Sequence, residues 1–247
     1  MEDLEKFTQD FFGYGNIKSD IWFIGHEEGS KQNSIKELKQ RVQVWKKLGK
    51  KILCDCRDFH IELKMGNEEP FTKGKIQATW GKYIDILIQI KNLNIHDLIS
   101  KKIYLQNKFA KHNSDHALIE LFPIPCSNLP SWNYSELSNQ IHYFVTKEKY
   151  RNYVVDLRIN KIINLINEYK PKIVIFNGIG NGKYKTFDFW ERILNDKFEE
   201  VTFGRNRYFF KKKETNFFII PKLIYATNEI IFNVGKEANK ILNNKDF

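Results

Sequence analysis

The chain has 247 residues, of which 42% are hydrophobic and 15% aromatic. This composition supplies enough apolar surface for a core and excludes an intrinsically disordered chain, and no apolar run is long enough to cross a bilayer. The formal net charge of +10 favours a polyanionic partner, although the composition bias of an AT-rich genome would also enrich lysine.

Residues 2–12 have the apolar spacing of a short amphipathic helix, and the first buried strand follows at residues 21–24. Four consecutive apolar residues before a glycine are typical of a strand covered on both faces, as in a parallel sheet. The polar turn after this strand carries His26, Glu27 and Glu28. Open α/β sheets bind ligands at the carboxyl ends of their strands, so this turn is the first candidate site.

Ser34 caps a predicted helix, and a second helix is expected over residues 79–92. Alternating apolar residues between the two indicate a strand. On such a strand, Asp58, Glu62 and Lys64 would imitate the acid-x-lysine spacing of metal-dependent nucleases. A nuclease is therefore one alternative function.

Residues 117–122 form the second predicted buried strand, which Glu120 alone interrupts with a charge. A buried carboxylate is costly unless it is paired or functional, so Glu120 is a second candidate. Residues 123–130 contain three prolines and are expected to form an extended loop. A long helix follows over residues 150–168.

The third predicted strand, residues 173–177, runs into a glycine-rich turn whose amides suit a phosphate group. Residues 201–210 and 217–220 suggest a hairpin, and its basic residues alternate with aromatic ones in the way that nucleic-acid-binding surfaces often do. The candidate contacts to a phosphate backbone are Gly178, Asn181, Arg205, Arg207 and Lys211.

The fourth buried strand is predicted at residues 223–226, just before Asn228, and a closing helix at residues 237–242. Four buried strands separated by helices predict the α/β class. The expected architecture is a three-layer α/β/α sandwich around a central, mainly parallel four-stranded sheet. Polar groups at three of the strand ends would then converge at one edge.

No linker, repeat or low-complexity tract divides the chain, so we expect a single domain over residues 1–247. We also expect a monomer. The acidic N-terminus lacks the features of a secretory signal, which favours a cytoplasmic protein. Cys54, Cys56 and Cys126 are odd in number and favour free thiols, and the first two match no common zinc spacing with His60. We therefore expect no metal and no other cofactor.

This order of elements resembles the uracil-DNA glycosylase superfamily. The stretches that carry the resemblance are residues 21–29, 117–130, 170–178 and 223–228. In that family the first strand ends in a turn of the kind G-x-(D/N/A)-P-(G/Y), which Gly25, Glu27 and Gly29 match in part. Glu28 replaces the usual proline, and residues 227–229 replace the His-Pro-Ser turn that many members have at the fourth strand.

The resemblance implies a DNA partner and a catalytic role for three residues. Glu27 falls on the position that orients or activates the attacking water. The histidine that stabilises the leaving base in many members is missing, so Asn228 or His26 would supply that support. Some branches hold an iron–sulfur cluster with four cysteines, and the three of this chain imply none.

The resemblance also implies a pocket for the extruded base. Glu120 falls where the family tends to place the amide that reads the base, and Gly25 opens the neighbouring turn. Tyr14, Phe122 or Trp132 would stack on the base.

The function implied by the resemblance is that of a DNA glycosylase, which hydrolyses the N-glycosidic bond of an atypical or modified base and leaves an abasic site. A carboxylate at the base-reading position favours a modified pyrimidine, such as the hydroxymethylated or glucosylated cytosine of phage DNA. The biological role would be defence against phage DNA or repair. A catalytically inert nucleic-acid-binding module with the same fold is the other alternative.

Overall fold

The structure is a computed structural model that describes residues 2–30, 32–64, 66–126, 132–179, 186–203 and 205–243. The strands are β1 (Gly13–Gly15), β2 (Ile21–Glu27), β3 (Leu53–Cys54), β4 (His116–Phe122), β5 (Ile173–Asn177), β6 (Glu199–Phe203), β7 (Asn206–Lys211) and β8 (Asn216–Ile220). The helices are α1 (Glu2–Asp10), α2 (Ile35–Lys47), α3 (Cys56–Leu63), α4 (Glu69–Thr72), α5 (Ala78–Lys91), α6 (Leu98–Asn107), α7 (Lys147–Tyr169), α8 (Thr186–Leu194) and α9 (Asn228–Asn243). Short 3-10 turns span Ser135–Asn139, His142–Val145 and Leu223–Tyr225.

One eight-stranded sheet runs in the order β3-β1-β4-β2-β5-β8-β7-β6. Its four central strands, β4, β2, β5 and β8, are mutually parallel, so their carboxyl ends meet at one edge. The expected α/β class is confirmed, but the sheet has eight strands and not four. A short strand pair on one side and the antiparallel strands β7 and β6 on the other extend the parallel centre.

Two predicted strands were wrong. Leu223–Tyr225, in the segment 223–226, is a 3-10 turn. The fourth parallel strand is β8, which pairs antiparallel with β7 as in the predicted hairpin and parallel with β5. Residues 59–63 lie in α3, whose buried side chains recur at the spacing of a helix and whose first turn is capped by the Asp55 carboxylate. Glu62 and Lys64 therefore do not share the face of a strand, and the nuclease-like spacing loses its structural basis.

Helices cover both faces of the central strands. Neighbouring side chains on a strand point to opposite faces. Phe23 of β2 packs against Tyr83 of α5, with ring centroids 4.7 Å apart, whereas Trp22 packs against Tyr169 of α7 at 6.4 Å. Thus α5 and α7 lie on opposite faces of the sheet. None of the helices within the described ranges is both long and apolar enough to cross a membrane.

Candidate functional site

A cavity of about 420 Å³ opens at the carboxyl ends of β2, β4 and β5. Four of the residues predicted from the sequence line it: Tyr14, His26, Glu27 and Glu120. The remaining walls come from the first turns of α5 and from the 3-10 turn Leu223–Tyr225 that follows β8. The parallel strands therefore bring together side chains that lie more than 100 residues apart in the chain, as expected for an open α/β sheet.

The Glu27 carboxylate is held by two cations from the start of α7. Arg151 donates from Nη2 to Oε2 at 2.6 Å, and Lys147 donates from Nζ to Oε1 at 3.0 Å. Burial alone would raise the pKa of Glu27, but the charges of Arg151, His26 and Lys147 more than offset it and lower the pKa. Glu27 is thus an ionised carboxylate in a fixed orientation, with 16% of its side chain exposed.

His26 is a neutral imidazole. Burial lowers its pKa to about 3, although the adjacent Glu27 carboxylate opposes the shift. Its Nδ1 lies 3.5 Å from Arg151 Nη2, which can only donate, so we assign the ring proton to Nε2. Nε2 is buried and has no hydrogen-bond partner among the described residues. His26 therefore holds an N–H donor without a partner among the described residues, buried in the wall of the cavity.

Glu28 also lines the cavity, and its carboxylate is fully engaged in a buried polar network. Its carboxylate accepts hydrogen bonds from Tyr14 Oη at 2.9 Å and from Arg41 Nη1 at 2.9 Å, and His60 Nε2 lies 3.2 Å from its other oxygen. Arg41 also binds Glu37, one turn earlier on α2. Burial opposes ionisation, but Arg41 and His60 together hold the pKa of Glu28 well below its usual range. This network fixes the Tyr14 ring.

Glu120 has a different environment from the other two carboxylates. Its Oε2 is buried and has no hydrogen-bond partner among the described residues. Burial, followed by the negative charges of Glu28 and Glu27, raises its pKa well above the usual range, and Arg158 offsets this only in part. Its surroundings therefore favour the protonated form of the carboxyl group.

Asn177, at the end of β5, is one of two amide residues that line the cavity, and the other is Gln77. Its Oδ1 accepts from the backbone N–H of Leu223 at 2.9 Å, and its Nδ2 donates to Tyr83 Oη at 3.3 Å. Asn177 thus ties the 3-10 turn to the sheet. The next two residues of that turn, Ile224 and Tyr225, are 48% and 73% exposed at the rim of the cavity.

Three of the predicted pocket residues lie elsewhere. Asn228 is exposed at the start of α9, where it accepts from Lys82 Nζ at 2.9 Å. Phe122 is fully buried and packs edge-on against His26, with the ring centroids 4.9 Å apart, so it supports the cavity wall without lining it. Trp132 stacks on Tyr150 and is not part of the wall. Asn228 lies outside the cavity because the strand predicted before it, residues 223–226, is not formed.

Gly25 has a steric role. It pairs with Glu120 across β2 and β4, and a Cβ atom added to it would lie 2.5 Å from Glu120 Oε2. The sequence predicts Gly25 beside Glu120 in the base pocket. In the structure Gly25 lies next to Glu120, but its own atoms do not line the cavity.

The predicted phosphate contacts are scattered. The N–H and carbonyl of Gly178 are used by Ile220 and Trp190, so this residue has no free amide for a phosphate, and its φ of 126° explains the glycine. Asn181 lies outside the described residues. The remaining candidates, on the β6–β7 hairpin, are treated next.

The basic cluster of the hairpin is divided along β7. The register of β7 against β8 places Arg207, with the exposed Arg205 before it, toward the cavity edge of the sheet and Lys211 toward the opposite edge. Arg207 lies 3.5 Å from Glu200, and Lys211 lies 3.5 Å from Asp196. The cluster does not form a single unpaired basic surface.

Sequence reasoning missed Arg41, His60, Lys147 and Arg151, which hold the two acidic residues of the first turn. It also missed the two amide residues Gln77 and Asn177, although the position of Asn177 at a strand end was a usable signal. No protein-family model matches the chain, and neither a search of curated proteins nor a search of solved structures found a match.

Proposed function

We propose that the protein is a DNA glycosylase that removes an atypical or modified pyrimidine and leaves an abasic site. The observation that carries the proposal is the convergence of Glu27, His26 and Glu120 on one cavity of about 420 Å³ at the carboxyl edge of the parallel strands. A cavity of this size suits a nucleobase with a substituent. The partner is DNA, bound by a monomer whose helices and sheet form three α/β/α layers.

The chemistry follows from the charge that develops as the N-glycosidic bond breaks. The bonding electrons leave with the base, and the sugar becomes positively charged at C1′. The Glu27 carboxylate can orient a water toward C1′ and stabilise that positive charge. Water then forms the new bond to C1′ and loses a proton, and the departing base gains one.

His26 suits the second half of this reaction. A neutral imidazole with a free Nε2–H can donate a hydrogen bond to the negative charge that builds on the base. Its low pKa keeps it from carrying a full charge, so it acts by hydrogen bonding. This assigns to His26 the support of the leaving group that sequence reasoning divided between His26 and Asn228.

The rim of the cavity fits a duplex substrate. A base inside a duplex reaches a pocket only after extrusion, and the space that it leaves must be filled to keep it out. Ile224 and Tyr225 are the large, exposed apolar side chains at this rim, and the cationic Lys222 precedes them. They are placed to occupy the gap in the base stack while Lys222 contacts a phosphate.

The decisive experiment is base release measured by mass spectrometry. Wild-type protein is incubated with genomic DNAs that carry uracil, 5-hydroxymethylcytosine or glucosylated hydroxymethylcytosine, and the DNA is then treated with alkali. A released modified pyrimidine with alkali-cleavable sites supports the proposal. Binding without release would indicate an inert binding module, strand breaks that require a divalent metal would indicate a nuclease, and release of uracil alone would contradict the assigned substrate class.

A further inference from the structure

We propose that Glu120 contacts its ligand as a neutral carboxylic acid, which can donate a hydrogen bond to a pyrimidine edge as well as accept one. The inference rests on the proposed function and names the protonation state of the group that contacts the base. It differs from the expectation drawn from the sequence, in which Glu120 is a carboxylate that only accepts hydrogen bonds.

The distribution of cations around the cavity supports this protonation state. Three carboxyl groups line the same space. Glu27 is paired with Arg151 and Lys147, and Glu28 is paired with Arg41 and lies 3.2 Å from His60 Nε2. Within the described residues, no lysine, arginine or histidine forms an ion pair or hydrogen bond with the Glu120 carboxyl group, which therefore faces two negative charges without a counterion.

Arg158, the cation that lies behind Glu120, already donates its hydrogen bonds to backbone carbonyl groups. Arg158 of α7 donates to the backbone carbonyls of Leu121 at 2.9 Å and Glu120 at 2.6 Å, and to that of Phe11 at 2.8 Å. Its guanidinium lies 3.6 Å from the centroid of the Phe12 ring. Arg158 thus satisfies the backbone of β4 and of the segment before β1, and it makes no hydrogen bond to the Glu120 side chain.

The other polar groups near Glu120 do not change this balance. Tyr14 of β1 is bound to Glu28, and Tyr83 of α5 is bound to Asn177, and burial raises the pKa of both phenols. His26 is neutral. Among the described residues, no group that faces Glu120 from β1, β2, α5 or α7 therefore supplies a counterion, and Lys222, which also lines the cavity, forms no ion pair with it.

Glu120 lines the cavity, but its Oε2 is buried, so a bound base would meet the carboxyl group at Oε1. Oε2 lies beside the Cβ-free surface of Gly25, so the glycine leaves the space that the carboxyl group occupies. An O–H donor next to a carbonyl acceptor pairs with an edge that has an acceptor next to a donor. Cytosine shows such a pair at N3 and N4–H and uracil at O4 and N3–H, and substituents at C5 leave both pairs unchanged, so a C5-modified pyrimidine fits.

Infrared difference spectroscopy tests the protonation state directly. The spectrum of wild-type protein minus that of Glu120→Gln is expected to contain the carbonyl band of a protonated carboxylic acid at pH 7, and the band should vanish only well above the ordinary carboxyl range of pH. Absence of the band at pH 7 overturns the proposal. The measurement needs no substrate turnover, so it succeeds or fails independently of glycosylase activity.

Measurement of DNA affinity tests whether Glu120 contacts the base. The probes are duplexes in which one 2′-fluoroarabino nucleotide carries 5-hydroxymethylcytosine. The fluorinated sugar makes the N-glycosidic bond of this nucleotide resistant to hydrolysis. Glu120→Gln keeps a donor and an acceptor and should retain affinity within about threefold, whereas Glu120→Leu should lose about tenfold or more, the value of one paired set of hydrogen bonds to a base edge. On binding, the carbonyl band should shift as the hydroxyl donates.

Two results would overturn the reading: equal losses for both variants, or a band that does not shift when the duplex binds. If the band is present and the wild type releases no base from any DNA, the glycosylase proposal fails while the neutral acid stands.

Discussion

Gly25 and Glu120 face each other across β2 and β4, and a methyl group at Gly25 would lie 2.5 Å from Glu120 Oε2. The backbone of Gly25 is not in the left-handed region, so space is the reason for the glycine. We expect Gly25→Ala to displace the Glu120 carboxyl group into the cavity and to lower base release by about tenfold or more, since small misplacements in a site are costly.

Gly81→Ala is the matched control for Gly25. A Cβ at Gly81 meets only the end of the Ile76 side chain, at 3.2 Å, and alanine favours a helix. We expect this variant to keep full activity. Equal losses of base release in the two variants, or unchanged release in Gly25→Ala with an undisturbed Glu120 in its crystal structure, would argue against the steric role.

Glu27→Gln should remove turnover while the protein still binds DNA. The amide keeps a hydrogen-bond acceptor for Arg151 but loses the charge that stabilises the sugar and activates water. The expected loss in single-turnover rate is roughly a hundredfold or more, the usual value for a general base. Retention of wild-type rate with intact DNA affinity would remove Glu27 from the catalytic role.

Much of this site could be predicted from residues 21–28 alone. An apolar run that ends in glycine and acids identified both the strand β2 and its position at the carboxyl edge. The position of Glu120 followed in the same way, because a single charge in an apolar run stands out. Glu27 and Glu120 were found because their signals are local.

The partners of these residues had no such local signal. Arg41 and His60 reach Glu28 from α2 and α3, and nothing in the spacing of the chain links them to it. The fourth strand was misplaced for a related reason. Residues 223–226 are as apolar as a buried strand, yet Ile224 and Tyr225 are exposed, because hydrophobicity does not distinguish a core strand from an apolar rim.

Because the fourth strand does not end at Asn228, Asn177 and Asn228 should differ in their effect on base release. Asn177→Ala should lower base release by about tenfold, because it frees the turn that carries the rim and removes the amide from the cavity. Asn228→Ala should leave base release within about twofold, since it breaks only an exposed contact to Lys82. The opposite order in a side-by-side assay would restore Asn228 to the site.

Glu28→Ala should destabilise the protein by roughly 3 kcal/mol, because it leaves Arg41 buried with a partner missing. Glu62→Ala is the control, since it removes an exposed pair with Lys47 and should cost less than about 1 kcal/mol. Chemical denaturation of the three proteins measures both values. A loss at Glu28 no larger than that at Glu62 would contradict the network.

The same network sets a pH dependence. The folded-state pKa of Glu28 lies below its ordinary value of 4.5, so its contribution is fully present above pH 4.5 and is lost as the pH falls through the folded-state pKa. The difference in unfolding free energy between wild type and Glu28→Gln should therefore be constant from neutral pH down to about pH 5 and shrink below it. A difference that grows on acidification would contradict this sign.

Tyr225→Ala separates the role of the rim from that of the cavity. If the exposed ring fills the gap left by an extruded base, its loss should lower release from duplex DNA by about tenfold and release from single strands much less, because a base–aromatic contact is worth about 1–3 kcal/mol. Tyr153→Ala is the control, since Tyr153 is 52% exposed on α7 and does not line the cavity. Single-turnover release from the same sequence in both strand states measures the effect, and an equal loss on both would place Tyr225 in general DNA binding.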